Sequence, residues 1–233
     1  NIVGTIRATP SDGDQIEVVA TKHGRRRDFD LVEIEVVEHS RGVTVCVLYP
    51  EGRRGRRRER NHDGEHGRGA CRRGSDSGDD DIDVEVDFEI RVPAGVTFIA
   101  RTVVGNVEVA QLAADVEAYS VSGDITVETS GLAEASTVSG DIEVHLGRTD
   151  WRGDLVFNTV SGNIRVHFPE GLNADVTFQS VTGDIESDFP ISLRSGRGFM
   201  AGNLRGTIGE GGPDLTLRTV SGDAALLLRR PGR

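Results

Sequence analysis

Methionine, tryptophan, tyrosine and lysine are almost missing from this 233-residue chain, which holds one Met, one Trp, two Tyr and a single lysine, Lys22, against 26 arginines. The lysine deficit is assigned to a GC-rich genome and not to function. No apolar run is long enough for a transmembrane helix, and the longest one near an end is Ala224 to Leu228. No segment keeps helical periodicity over ten residues, which excludes a helical architecture and leaves an all-β reading. No Ser–His–Asp spacing, phosphate loop, Cys-x-x-Cys pair or Gly-x-Ser-x-Gly elbow occurs. The expectation is therefore a protein that is not an enzyme, with no catalytic residues, no metal and no cofactor. The two cysteines, Cys46 and Cys71, allow one disulfide, which would staple a loop to a strand in an oxidising compartment. The alternative is a pair of unpaired thiols. The chain begins at Asn1 without Met, which suggests removal of a leader or anchor, or further residues ahead of it.

What the chain does have is glycine, 30 of 233 residues, and a phrase that recurs. It reads Thr102-Val-Val-Gly-Asn-Val, Ser120-Val-Ser-Gly-Asp-Ile, Thr137-Val-Ser-Gly-Asp-Ile, Thr159-Val-Ser-Gly-Asn-Ile, Ser180-Val-Thr-Gly-Asp-Ile and Thr219-Val-Ser-Gly-Asp-Ala. A degraded seventh copy is Phe199-Met-Ala-Gly-Asn-Leu. The glycines step by 18, 17, 22, 21, 19 and 20 residues, a period that signals a solenoid. Around each glycine, apolar and polar residues alternate, as in Val116-Glu-Ala-Tyr and Ile125-Thr-Val-Glu, which is strand periodicity. Two short strands cannot bury an apolar face alone, but stacked copies can.

Stacking would line up the valines at 103, 121, 138, 160, 181 and 220 in one column, and the isoleucines at 125, 142, 164 and 185 in a second, each at the inter-strand spacing of about 4.8 Å. The Ser/Thr-Gly-Asp/Asn step is a turn. Gly105, Gly123, Gly140, Gly162, Gly183 and Gly222 supply positive φ, and Asp124, Asp141, Asp184 and Asp223 bond their own backbone nearby. The residues that close each repeat vary in length and are rich in glycine, as in Gly147-Arg-Thr-Asp-Trp-Arg-Gly. Insertions in solenoids map to one face, often the binding face.

The chain divides into N-terminal strands over 1–50, an insertion over 51–80 and regular coils with a C-terminal cap over 81–233, all in one domain. Asp12-Gly-Asp-Gln-Ile reads as a weak early copy of the phrase. The insertion opens with nine arginines within residues 51 to 74, including Arg53, Arg54, Arg56, Arg57, Arg58 and Arg60, against four acids. It carries about +5 while the whole chain carries −11, so the remaining body is strongly acidic, about −16. Either the basic loop folds back on the acidic run from Asp76 to Asp83, or it docks on an acidic protein or an anionic membrane surface. Nucleic acid is excluded as a partner, because the loop has no aromatics to stack on bases and the body repels phosphate.

Two columns invite chemistry. The turn carboxylates resemble the Asp clusters of polysaccharide-cutting β-helices, yet each has a turn to stabilise and Asn replaces Asp in three copies. The nonapeptide calcium signature is absent. Glu128, His145, His167 and Asp188 fall in register on successive repeats. Two stacked imidazoles suit zinc, but nothing completes a tetrahedral set. The column is therefore taken as a surface ladder whose carboxylates raise the histidine pKa values. The neighbouring Thr126, Glu143, Arg165 and Glu186 form a cross-strand charge ladder.

These phrases resemble those of a bacterial putative-adhesin family of unknown function, whose members repeat Thr-Val-Ser-Gly-Asp-Ile. Asn1-Ile-Val-Gly-Thr-Ile-Arg followed by Ile16-Glu-Val-Val-Ala-Thr-Lys is similar to its opening, and Val92-Pro-Ala-Gly-Val to its entry into the repeats. Asp188-Phe-Pro, Leu204-Arg-Gly-Thr-Ile-Gly-Glu-Gly-Gly and Leu215-Thr-Leu-Arg-Thr-Val-Ser-Gly-Asp are similar to its closing segment. The resemblance implies a right-handed single-stranded β-solenoid, exported or membrane-associated, with no established catalytic residues. The chain departs from it in the arginine loop and in Ala224-Ala-Leu-Leu-Leu, where alternation stops. An open last coil exposes apolar residues and strand edges, so Leu226, Leu227 and Leu228 with Arg229 and Arg230 form either a cap or a docking edge.

The sequence therefore points to a non-catalytic, periplasmic or otherwise extracytoplasmic scaffold docking on another protein or a membrane-bound complex. Accessory subunits of respiratory or photosynthetic complexes are a special case. A carbohydrate-binding or carbohydrate-cleaving β-helix is the alternative, and it would need outward aromatics, for which only Tyr119 and Trp151 are available.

Overall fold

The computed structural model describes residues 1–40, 42–50, 82–193 and 203–229. In chain order the strands are β1 (Ile6–Pro10), β2 (Glu17–Gly24), β3 (Glu33–His39), β4 (Gly42–Leu48), β5 (Val84–Val92), β6 (Phe98–Arg101) and β7 (Val107–Leu112). There follow β8 (Val116–Tyr119), β9 (Ile125–Thr129), β10 (Ala133–Ser136), β11 (Ile142–His145), β12 (Leu155–Asn158) and β13 (Ile164–Phe168). The last are β14 (Ala174–Gln179), β15 (Ile185–Ser187), β16 (Ile191–Leu193), β17 (Asn203–Ile208), β18 (Asp214–Arg218) and β19 (Ala224–Leu228). One 3-10 turn, Arg26–Leu31, is the only helical element among the described residues.

From β5 to β16 the chain alternates between two sheets at every step. The first sheet has the order β2-β5-β1-β7-β9-β11-β13-β19-β15, and the second β6-β8-β10-β12-β18-β14-β17-β16. Neighbours in the repeat region pair in parallel, Ile125 against Ile142 and Ile142 against Ile164. The period-2 alternation sends every second side chain between the sheets. Ile125, Ile142, Ile164, Val127, Val144 and Val166 are at most 1% exposed there, with Phe157, Phe168 and Phe178 fully buried. Each such large side chain stabilises the stack by about 1.5–3 kcal/mol. The fold is all-β and solenoid-like, as the repeat predicts.

The stacking order is not the chain order. The β18–β19 pair enters between β12–β13 and β14–β15. Leu226 pairs with Val166 on one side and Ser187 on the other. This corrects the expectation that the C-terminal segment forms a cap or a docking edge. Ala224 and Leu226 are fully buried and Ala225 is 6% exposed, so the segment is interior, neither cap nor edge. The opposite end repeats the device, with β1 lying between β5 and β7.

Two further expectations change. The degraded seventh copy does not build a coil: its last residues open β17, which runs antiparallel to β14. Residues 199–202 lie outside the described residues. Residues 1–50 only partly join the stack, because β3 and β4 form their own hairpin. That hairpin and the 3-10 turn close one end, where Val32 and Val47 enter the core with Phe29, Ile34, Val45 and Tyr49 packed against it. Lys22 holds this end together, its Nζ donating to the carbonyls of Phe29 at 2.7 Å and Val32 at 2.5 Å.

Candidate functional site

The repeated phrase folds as a corner between the two sheets. Its first residue points inward. Thr137, Thr159, Ser180 and Thr219 are at most 2% exposed, and their hydroxyls donate to the glycine carbonyl of the neighbouring coil at 3.0–3.1 Å. The glycine has φ of +141° to +152° at the six copies. A Cβ on Gly140 would lie 2.2 Å from the Gly123 carbonyl oxygen, so conformation and space both demand glycine.

The next residue ties coil to coil. The Asp141 amide donates to Asp124 Oδ1 at 2.8 Å, Asn163 to Asp141 at 2.7 Å, Asp223 to Asn163 at 2.9 Å and Asp184 to Asp223 at 2.9 Å. The sequence reading had these side chains bonding their own backbone; they bond the neighbour's instead. Asn serves as well as Asp because only a carbonyl-type acceptor is needed. An additional copy lies at the start of the chain. Asn1 to Ile6 forms the same corner, with Gly4 at φ +126° and the Thr5 amide donating to Asp87 Oδ1 at 2.7 Å. Its signal was the Val-Gly-Thr-Ile spacing. Asp12-Gly-Asp is instead the connection between β1 and β2.

The valine of each phrase points outward. Ile2, Val103, Val121, Val138, Val160 and Val220 are 42–47% exposed and Val181 is 73% exposed. They follow one another along the stack in that order, as the Val103 amide donates to the Ile2 carbonyl, Val138 to Val121, Val160 to Val138 and Val220 to Val160. Six steps of about 4.8 Å make an apolar ridge of roughly 29 Å. Single exposed apolar residues are ordinary, whereas a contiguous row is not.

Beside the ridge, the second sheet carries a shallow groove of about 440 Å³ lined by Tyr119, Glu134, Ser136, Asn158, Gln179 and Arg218, among others. The Arg101 guanidinium sits 5.1 Å from the Tyr119 ring centre. Burial, then Glu117 and Glu134, raises the Tyr119 pKa. Burial, then Glu117 and Asp154, raises that of Glu134. Trp151, the other aromatic considered for sugar stacking, is 8% exposed and packs on Phe168 at 5.6 Å between ring centres. It is a core residue, so Tyr119 alone faces outward.

On the outer face of the first sheet, His145 and His167 are register partners, with Glu128 beside His145. The rings stack at 4.0 Å, 12° from parallel. Glu143 Oε1 lies 3.3 Å from His145 Nε2 and 3.8 Å from His167 Nε2. Two expectations need correction here. Leu227 and Ala225 stand opposite His167 and Arg165, because β19 separates β13 from β15, so neither four-residue ladder is continuous. The His167 pKa is lowered, not raised: burial and then His145 outweigh Glu143 and Asp188.

Residues 96–227 match the Toastrack DUF4097 family, well over half of the chain. The chain belongs to the Toastrack family. The solved structure of a putative cell adhesion protein from Clostridium sporogenes is similar in fold. Its TM-score is 0.50 at 8% identity, with 97% of this chain and 89% of that one covered. Comparison with curated proteins gives no match.

The remaining sequence-predicted residues distribute as follows around the Toastrack body. Leu226 is buried, and Leu227, Leu228 and Arg229 are half-buried. Arg229 donates to Glu128 at 2.9 Å and to the Leu146 carbonyl at 3.0 Å, which spends its charge inside the molecule. Cys46 is 4% exposed and disulfide-bonded, and Cys71 lies outside the described residues. So do Arg53, Arg54, Arg56, Arg57, Arg58, Arg60 and Arg230. No described helix is long and apolar enough to cross a membrane.

Proposed function

We propose that this Toastrack protein is a non-catalytic, extracytoplasmic scaffold that docks on another protein through the valine ridge and the groove beside it. The reading extends to an accessory role at a membrane-bound complex and to a right-handed winding of the coils, the hand that parallel crossovers favour. The observation that carries it is the ridge, a straight row of β-branched side chains held out at the same corner of successive coils. The adjoining groove supplies Tyr119, Arg101 and Arg218, residue types enriched at interface centres, with amides and hydroxyls as a polar rim. A strongly acidic body disfavours phosphate-rich partners, so the ridge is assigned to a protein surface. The carboxylates of Asp124, Asp141 and Asp223 argue against catalysis, since each accepts a hydrogen bond from a backbone amide.

The test is a triple substitution, Val121→Thr, Val138→Thr and Val160→Thr, which keeps shape and strand propensity while removing apolar contact. Crosslinking in the native host with a photoreactive residue at position 103, the ridge neighbour of Val121, is expected to capture a protein, and the triple variant to lose it at unchanged melting temperature. Equal crosslinking in both, or none in either, overturns the reading. Binding on a glycan array that depends on Tyr119 would favour the carbohydrate alternative instead.

A further inference from the structure

The ridge leaves the outer face of the first sheet unexplained. The parallel pairing of β11 with β13 brings His145 opposite His167. Glu143 lies two residues before His145 on the same face. One ligand atom from each residue fits within a mutual distance of 4.8 Å. We propose that Glu143, His145 and His167 bind a first-row divalent cation of the Zn²⁺ class.

The donor set selects the ion. Two imidazole nitrogens and one carboxylate suit Zn²⁺ and its neighbours, whereas Ca²⁺ and Mg²⁺ take oxygen ligands. Zinc with bonds of about 2.0–2.1 Å holds its tetrahedral ligands roughly 3.3–3.4 Å apart. The separation from Glu143 Oε1 to His145 Nε2 already matches at 3.3 Å, and that to His167 Nε2 exceeds it by a few tenths at 3.8 Å. The two rings are nearly parallel, so coordination needs them to fan apart by rotation about χ2, a broad and soft torsion.

His167 supplies an independent reason. Its Nε2 is shielded from solvent and has no hydrogen-bond partner, which is unfavourable for a buried polar nitrogen. A bound cation satisfies that nitrogen. Of the neighbouring cations, Arg229 is held by Glu128 and the Leu146 carbonyl, and Arg165 stands in register with Glu143. Three protein ligands leave a position open, so the ion would retain a water or accept a donor from a second molecule.

The experiment titrates the full chain, made without a polyhistidine tag, with Zn²⁺ by calorimetry and with Co²⁺ by visible absorption. Three variants are compared: His145→Ala/His167→Ala, Glu143→Gln, and His62→Ala/His66→Ala as a control for the histidines of the arginine-rich insertion. The expected result is one equivalent that the insertion control keeps and the double variant loses, weakened at least ~10-fold by Glu143→Gln. Zinc should also shift the imidazole ¹⁵N signals of two histidines in the unsubstituted protein, a readout that needs no variant to fold. The proposal is overturned if the unsubstituted chain binds no zinc. It is equally overturned if the equivalent survives loss of both histidines, or vanishes only with His62 and His66.

Discussion

Replacing Thr159 by valine isolates one contact of the corner. The two side chains have nearly the same shape, so packing is kept and only the hydroxyl is lost. Thr159 is 1% exposed, and its Oγ1 donates to the Gly140 carbonyl at 3.1 Å. Water cannot take over at that depth, so the carbonyl is left without its donor, which costs about 1–3 kcal/mol. For a chain of this size each kcal/mol moves the melting temperature by about 2–4 °C. Thr159→Val is therefore expected to melt roughly 2–12 °C lower by calorimetry, with the urea midpoint falling in parallel and the slope unchanged. Thr159→Ser keeps the hydroxyl, and serine already occupies the equivalent place at 120 and 180. It should lose less than the valine variant. A valine variant as stable as the parent, or a serine variant equally damaged, would refute the claim that buried hydroxyls couple one coil to the next.

Gly140→Ala places a Cβ 2.2 Å from the Gly123 oxygen at φ +150°, and should cost about 3 kcal/mol or more. Gly13→Ala, whose Cβ meets nothing within 4 Å, should stay within about 0.5 kcal/mol in the same denaturant series. Lys22→Met strips a shared donor from the carbonyls of Phe29 and Val32; faster amide exchange over residues 26–32 is the expected signature, and unchanged exchange would count against the anchoring role. The raised pKa of Glu134 means that folding disfavours its ionised form. The contribution of the neutral acid is complete below the ordinary glutamate range and lost as pH rises through the higher folded value. Glu134→Gln should thus be more stable than the parent at pH 7, by no more than about 0.5 kcal/mol because the site is partly open to solvent. The gain should vanish on acidification in melting curves taken from pH 7 to 3.5.

The strand pattern and the corner were legible because both are local. Alternation at Ile125-Thr-Val-Glu assigns each side chain to a face, and a recurring glycine beside Asp or Asn marks a turn. The fate of the valines was less legible. The repeat lines them up in one column without assigning it a face; the corner bends outward there, and the buried place goes to the Thr or Ser hydroxyl one residue earlier. Trp151 misled, since a closing loop with Gly on either side looks exposed while its indole packs on Phe168.

By itself, the sequence determined the all-β class, the position of the six corners of the full phrase and the choice of glycine there, since each follows from backbone conformation within a few residues. Tertiary structure alone decided the order of the stack. Nothing local says that β19 enters between β13 and β15, or β1 between β5 and β7. Those placements satisfy strand edges and bury Leu226 and Ala8, a gain that exists only when distant coils are assembled. The same assembly interrupts the predicted charge ladders with Ala225 and Leu227, and brings Glu143 and His145 against His167.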